Sequence, residues 1–190
     1  MMLAILLAIA GQVNATQTPD PPDLAAYIAD VRAAGATEDA QGAIQMVAGI
    51  IAGDTVLEFR KGDSGEYGNS YSSATCAKPG LSAEELASLR KEAADRRNPV
   101  FKALRLFADA DNSGFISSKE GWSVRRTFEF GAKLAFLVEK EGRDKDRLCK
   151  LLRVSGPEFD ASLERYNALV KALAGVPVRY LPPAIALESK

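Results

Sequence analysis

Residues 109–120 read Asp-Ala-Asp-Asn-Ser-Gly-Phe-Ile-Ser-Ser-Lys-Glu, with oxygen-bearing side chains at positions one, three, five, nine and twelve and a glycine at six. Glycine tolerates backbone angles that other residues adopt only at a cost, so a sharp reversal is expected at Gly114. Both flanks carry helical periodicity. Upstream, Asn98-Pro99 predicts an N-cap followed by proline at the first helical position, and Phe101, Leu104 and Phe107 recur every three residues. Downstream from Glu120, Trp122, Val124, Phe128, Leu134 and Leu137 are placed to face a core, leaving Arg126, Glu129, Lys133 and Lys140 for solvent. The chain must therefore run helix, tight oxygen-rich turn, helix.

That turn has the donor set of a hard cation. Calcium takes six to eight oxygens at about 2.3–2.6 Å, so a short loop can hold it only by folding back and aiming many oxygens inward. Asp109, Asp111 and Ser113 supply side-chain oxygens, Phe115 its main-chain carbonyl, and Glu120 both carboxylate oxygens, with Ser117 acting through water. Ile116 has no liganding role and suits a short β-bridge to a neighbouring loop. The competing reading is a polar surface turn, or a ligand set that persists in a loop that no longer binds.

From Pro99 to about Lys140 the chain resembles an EF-hand, and DADNSGFISSKE is similar to the loop of that family at every liganding position. The resemblance implies a mainly α fold: a small helical domain in which an EF-hand helix-loop-helix carries one calcium ion. EF-hands commonly hold aromatics one and four residues before the loop and a bulky apolar residue after its last glutamate. Ala108, Arg105 and Gly121 stand at those places, so the resemblance extends to the ligands and not to a large calcium-driven opening. Three carboxylates and a neutral Ser113 imply moderate affinity, with a dissociation constant of about 10⁻⁵ to 10⁻³ M.

The first ten residues form an unbroken apolar run, and Val13-Asn14-Ala15 offers small residues of the kind a signal peptidase reads. Residues 1–15 are expected to be a signal peptide, which makes the chain periplasmic or secreted. The run is shorter than the roughly 20 residues of a spanning helix, so no membrane span is expected after cleavage. What remains suits one compact domain. With 24 basic and 25 acidic residues, the chain has no strong field to hold nucleic acid. Cys76 and Cys149 are its only cysteines. In an exported chain they are candidates for a disulfide bond enclosing the whole loop, worth about 4 kcal/mol in the chain-entropy model. Alternatively, Cys149 is a small buried hydrophobe.

Residues 16–22 are polar and Pro-rich, a linker. The region 23–80 then reads as N-terminal helices followed by an irregular loop. One helix falls near Leu24–Val31. A second runs from about Asp39 to Ala52, buries Ile44, Met46, Val47, Ile50 and Ile51, and ends at Gly53-Asp54. Thr55–Phe59 is β-prone without an obvious partner. Lys61–Gly80, rich in Ser, Thr and Gly, reads as loop, with Tyr67 and Tyr71 either stacking on a ligand or packing back onto the domain. Within 81–176, Ser82-Ala83-Glu84-Glu85 is a capping box that opens a helix to about Arg96. Asp144–Val154 and Pro157–Ala174 read as two further helices broken at Ser155-Gly156-Pro157. This hairpin is either the ligand-free partner of the EF-hand or two ordinary bundle helices. Residues 177–190 read as an extended tail.

The chain has no histidine, which removes the usual general base at neutral pH and histidine-ligated zinc. Paired acids such as Glu84/Glu85 and Asp144/Asp146 sit where capping and solvation already explain them. The sequence thus leads to a non-enzymatic, exported calcium-binding protein. A helical protein that binds an unidentified protein partner through a vestigial loop, or a secreted enzyme using calcium structurally, stands as the alternative.

Overall fold

A computed structural model describes residues 39–74 and 80–187. The expected signal peptide, linker and first helix, and Cys76, lie outside the described residues. Helix α1 covers residues 39–52, a β-hairpin follows with β1 at Thr55–Lys61 and β2 at Tyr67–Ser73, and four helices complete the order: α2 Ala83–Ala108, α3 Ser118–Glu141, α4 Lys145–Leu152 and α5 Gly156–Ala172. The fold is mainly α with a small two-stranded sheet. No helix among the described residues is long and apolar enough to cross a membrane.

Helix α1 ends where expected. Gly53 adopts φ +96° and its N–H returns to the Gly49 carbonyl, while Ile44, Val47, Ile50 and Ile51 are buried and Met46 is half-buried. Ser82, Ser117 and Ser155 each form a complete capping box with the glutamate three residues on, and the Asp144 side chain accepts from the Arg147 N–H. The first and last of these boxes and the Asp144 cap set the helix starts that the sequence predicts.

Two expectations are overturned here. Asn98-Pro99 does not open a helix, because α2 runs unbroken through Pro99 for 26 residues. An interior proline costs about 3 kcal/mol. Ala93 on one side of it and Val100, Leu104 and Ala108 on the other are buried, and Arg96 and Arg97 tie the same stretch to the Ala52 carbonyl and the Asp54 carboxylate at the end of α1. Tertiary contacts on both sides of Pro99 thus outweigh the local stop signal. The second correction is at Lys61–Gly80, much of which is not irregular. Tyr67–Ser73 pairs antiparallel with β1, with Tyr71 opposite Leu57 and Tyr67 opposite Lys61. The five-residue turn closes with the Gly62 N–H on the Glu66 carbonyl, and Gly65 takes φ +83°.

The hairpin lays Leu57, Phe59 and both tyrosines against α3. Tyr67 meets Phe136 edge-on at 5.3 Å and donates to Glu141 at 2.8 Å; Tyr71 donates to Glu129. Both tyrosines therefore pack back onto the domain, the second of the two outcomes left open by the sequence. Two apolar clusters form around α3. One joins α1, α2, the front of α3 and α5, and the other gathers Leu134, Leu137, Leu148 and Phe159 where α4 and α5 meet the end of α3. Gly131 is the close contact between α3 and α5: a Cβ there would lie 1.9 Å from the Tyr166 ring. Cys149 sits half-buried beside the second cluster, where desolvation raises its pKa.

Residues 177–187 carry no helix or strand, yet they are fastened down. The Arg179 and Tyr180 N–H groups both donate to the Ile51 carbonyl, the Tyr166 hydroxyl donates to the Pro182 carbonyl at 2.6 Å, and Asn167 makes a reciprocal pair with Ile185 at 3.0 Å each way. What reads as a tail in sequence is a strap tying the end of α1 to α5.

Candidate metal centre

The loop between α2 and α3 begins at Asp109, the C-cap of α2, and runs into α3 through Ser117, its N-cap. Gly114 adopts φ +77°, the conformation expected at the sixth position, and Asn112 takes φ 55°, which asparagine tolerates better than most residues. These two left-handed residues turn the chain sharply enough to bring its oxygens together. The Ser113 hydroxyl lies 3.4 Å from Asp109 Oδ1 and 3.0 Å from the Phe115 carbonyl oxygen. Oxygens sharing an ion at about 2.4 Å are themselves about 3 Å apart, so this cluster has the spacing of neighbouring ligands in a calcium polyhedron. Three of the five predicted positions therefore meet at one point.

The other two are held nearby and differently. Asp111 Oδ1 accepts from the Ser113 N–H at 3.1 Å, and the Ser113 hydroxyl and N–H together hold the Asp111 carboxyl below its usual range. Asp109 Oδ2 accepts from the Gly114 N–H at 3.0 Å. Glu120 departs from the expected two-oxygen chelation: its Oε2 accepts from the Ser117 hydroxyl at 2.7 Å and the Ser117 N–H at 2.8 Å, completing the cap of α3. Those Ser117 bonds lower the Glu120 pKa, against a smaller raising influence from the Asp111 charge. Ser117 thus acts on Glu120 directly. Among the described residues no three Asp, Glu, Cys or His side chains gather into a metal-binding group. The donor chemistry, oxygen only with three carboxylates, nevertheless suits a hard dication.

The surroundings explain the unusual flanks. A Cβ on Gly121 would lie 2.5 Å from the Ala40 Cα and 2.6 Å from its carbonyl oxygen, so the backbone of α1 crosses the start of α3 in contact. Ala108 and Ile116 are buried in the same cluster as Ala40 and Ile44. The absence of a side chain at 121 is therefore what the closeness of α1 requires. Ile116 forms no β-bridge; it serves as an apolar plug. The α4–α5 hairpin packs along the helical stem of α3, through Tyr166 against Gly131 and Phe159 against Phe130 at 5.7 Å.

Trp122 is a further correction. It is 39 % exposed instead of facing the core, because Gly121 occupies the side turned to α1 and the next residue points about 100° away around the helix. Its ring is covered by the Arg125 guanidinium at 4.9 Å, which in turn binds Glu129 at 2.7 Å. Leu106 and Phe115 are also exposed beside the loop. No family model, curated protein or solved structure matches the chain.

Proposed function

We propose that the chain is an exported, non-enzymatic calcium-binding protein of EF-hand type, in which one ion held by Asp109, Asp111, Ser113, the Phe115 carbonyl and Glu120 braces the fold. The observation that carries the reading is the meeting of Asp109 Oδ1, the Ser113 hydroxyl and the Phe115 carbonyl within hydrogen-bond distance, around two left-handed residues. Bracing is favoured over switching because Ala108, Ile116 and Gly121 anchor the two ends of the exposed loop in the core that α1 shares, and a sensor must separate its helices to open a surface. An ion that binds only the folded chain stabilises it by about 2.7 kcal/mol when its free concentration is a hundredfold above the dissociation constant. Outside the cytoplasm a site of moderate affinity can stay filled in this way.

Melting curves of the purified chain in calcium, magnesium and chelator, beside a dye that reports exposed apolar surface, test the proposal. A calcium-dependent rise in Tm without dye binding is expected. A rise with dye binding replaces the brace by a switch, and no response to calcium leaves the alternative of a helical interaction protein with a vestigial loop.

A further inference from the structure

Helices α3 and α5 border an open cleft of about 310 Å³ whose wall combines the apolar Phe130 and Ala161 with five side chains that can donate hydrogen bonds. On α3, Ser123, Arg126, Thr127 and Phe130 line it at the i, i+3, i+4, i+7 spacing of one helical face, and α5 contributes Ser162 and Arg165 from across the gap. No carboxylate lines it. Arg125, one residue away, is committed to Glu129, but neither Arg126 nor Arg165 has an ion-pair or hydrogen-bond partner among the described residues. Thr127, 5 % exposed, also lines the cleft and adds its hydroxyl to those of Ser123 and Ser162.

We infer that this cleft binds a phosphoryl group, with Arg126 and Arg165 gripping its oxygens from opposite helices and the hydroxyls of Ser123, Thr127 and Ser162 completing the contacts. Guanidinium presents paired N–H donors at the spacing of phosphate oxygens, and two of them on one cleft with no carboxylate among its lining residues favour an anion there. The volume is near the lower end of ligand pockets, which suits a phosphate monoester with a small organic part or a phosphomonoester lipid headgroup. The site lies beyond the 109–120 loop, along α3, and does not depend on calcium.

Calorimetry of the full chain with inorganic phosphate, in chelator so that calcium phosphate cannot form, should give saturable heat. The Arg126→Gln/Arg165→Gln variant changes two exposed side chains and should weaken binding about tenfold or more. Thr127→Val keeps the shape of the core and should weaken it without lowering Tm. Flotation with phosphatidate vesicles, against vesicles of phosphatidylcholine alone, separates the two sources: recruitment that phosphate competes away assigns the site to a lipid headgroup, and phosphate binding without recruitment assigns it to a soluble ester. No saturable heat in the native chain, or equal heat in the folded arginine variant, overturns the inference.

Discussion

Replacing Gly121 by alanine tests the contact that ties the loop to α1. On helix propensity alone the change should stabilise the protein, since glycine inside a helix costs about 1 kcal/mol relative to alanine. Against this stands a methyl placed 2.5 Å from the Ala40 Cα and 2.6 Å from its carbonyl oxygen, where the colliding atoms are backbone and no side-chain rotation relieves them. Helix α1 must then move off the start of α3, loosening the cluster that holds Ala40, Ile44, Ala108 and Ile116. Overpacking of a tight core costs about 1–3 kcal/mol, and a backbone collision belongs at the upper end, so the net loss should be about 2 kcal/mol. With a urea dependence of about 2 kcal/mol per molar, the unfolding midpoint should fall by about 1 M. Gly42→Ala supplies the control, because a Cβ there meets nothing within 4 Å on the same helix α1. It should raise the midpoint. If Gly121→Ala is as stable as the native protein, α1 does not lie against the start of α3 and the explanation of residue 121 fails.

Further tests concern the strap and the helix caps. Tyr166→Phe removes the hydroxyl that donates to the Pro182 carbonyl in a largely buried place and should cost about 1–2 kcal/mol in urea unfolding, with faster hydrogen exchange at the Ile185 N–H; unchanged exchange would show that the strap is held some other way. Glu85 and Glu158 have pKa values held below 4.5 mainly by the N–H groups of Ser82 and Ser155, so the native state keeps fewer protons than the unfolded chain in that range. Their contribution is present above pH 4.5 and disappears as pH falls through the lowered folded values. The urea midpoint should therefore drop from about pH 5 to about pH 3, and the Glu85→Gln/Glu158→Gln variant, which has no carboxylate to titrate at these two sites, should show a shallower drop. Equal slopes would mean the boxes do not form in solution.

Local signals in the sequence translate well wherever the cause lies within a few residues. The box at Ser82, the helix break at Ser155-Gly156-Pro157, the helix start at Asp144 and the stop at Gly53 each depend on groups about one turn away, and each appears where the sequence puts it. Features set by distant partners do not. Tyr67–Ser73 lacks the aliphatic residues of a typical strand and becomes one because β1 and the aromatics of α3 receive it. Pro99 stays inside α2 because burial on both sides of it outweighs a local stop, and the strap is invisible because its bonds join residues 16 to 18 apart in sequence and more. In the loop, the positions of Asp109, Ser113, Gly114 and Phe115 follow from spacing alone. The capping bond that occupies Glu120 was also legible, since Ser117 and Glu120 stand in the same Ser-x-x-Glu arrangement as Ser82 and Glu85. The role of Gly121 was not, because it depends on a helix some 80 residues earlier in the chain.

Calcium titration of the purified chain by calorimetry bears most directly on the central claim. One ion per chain should bind with a dissociation constant of about 10⁻⁵ to 10⁻³ M, and the heat should vanish in the Asp109→Ala/Glu120→Gln variant while its circular dichroism stays helical. No calcium heat in the native chain, or the same heat in that variant, would contradict the account.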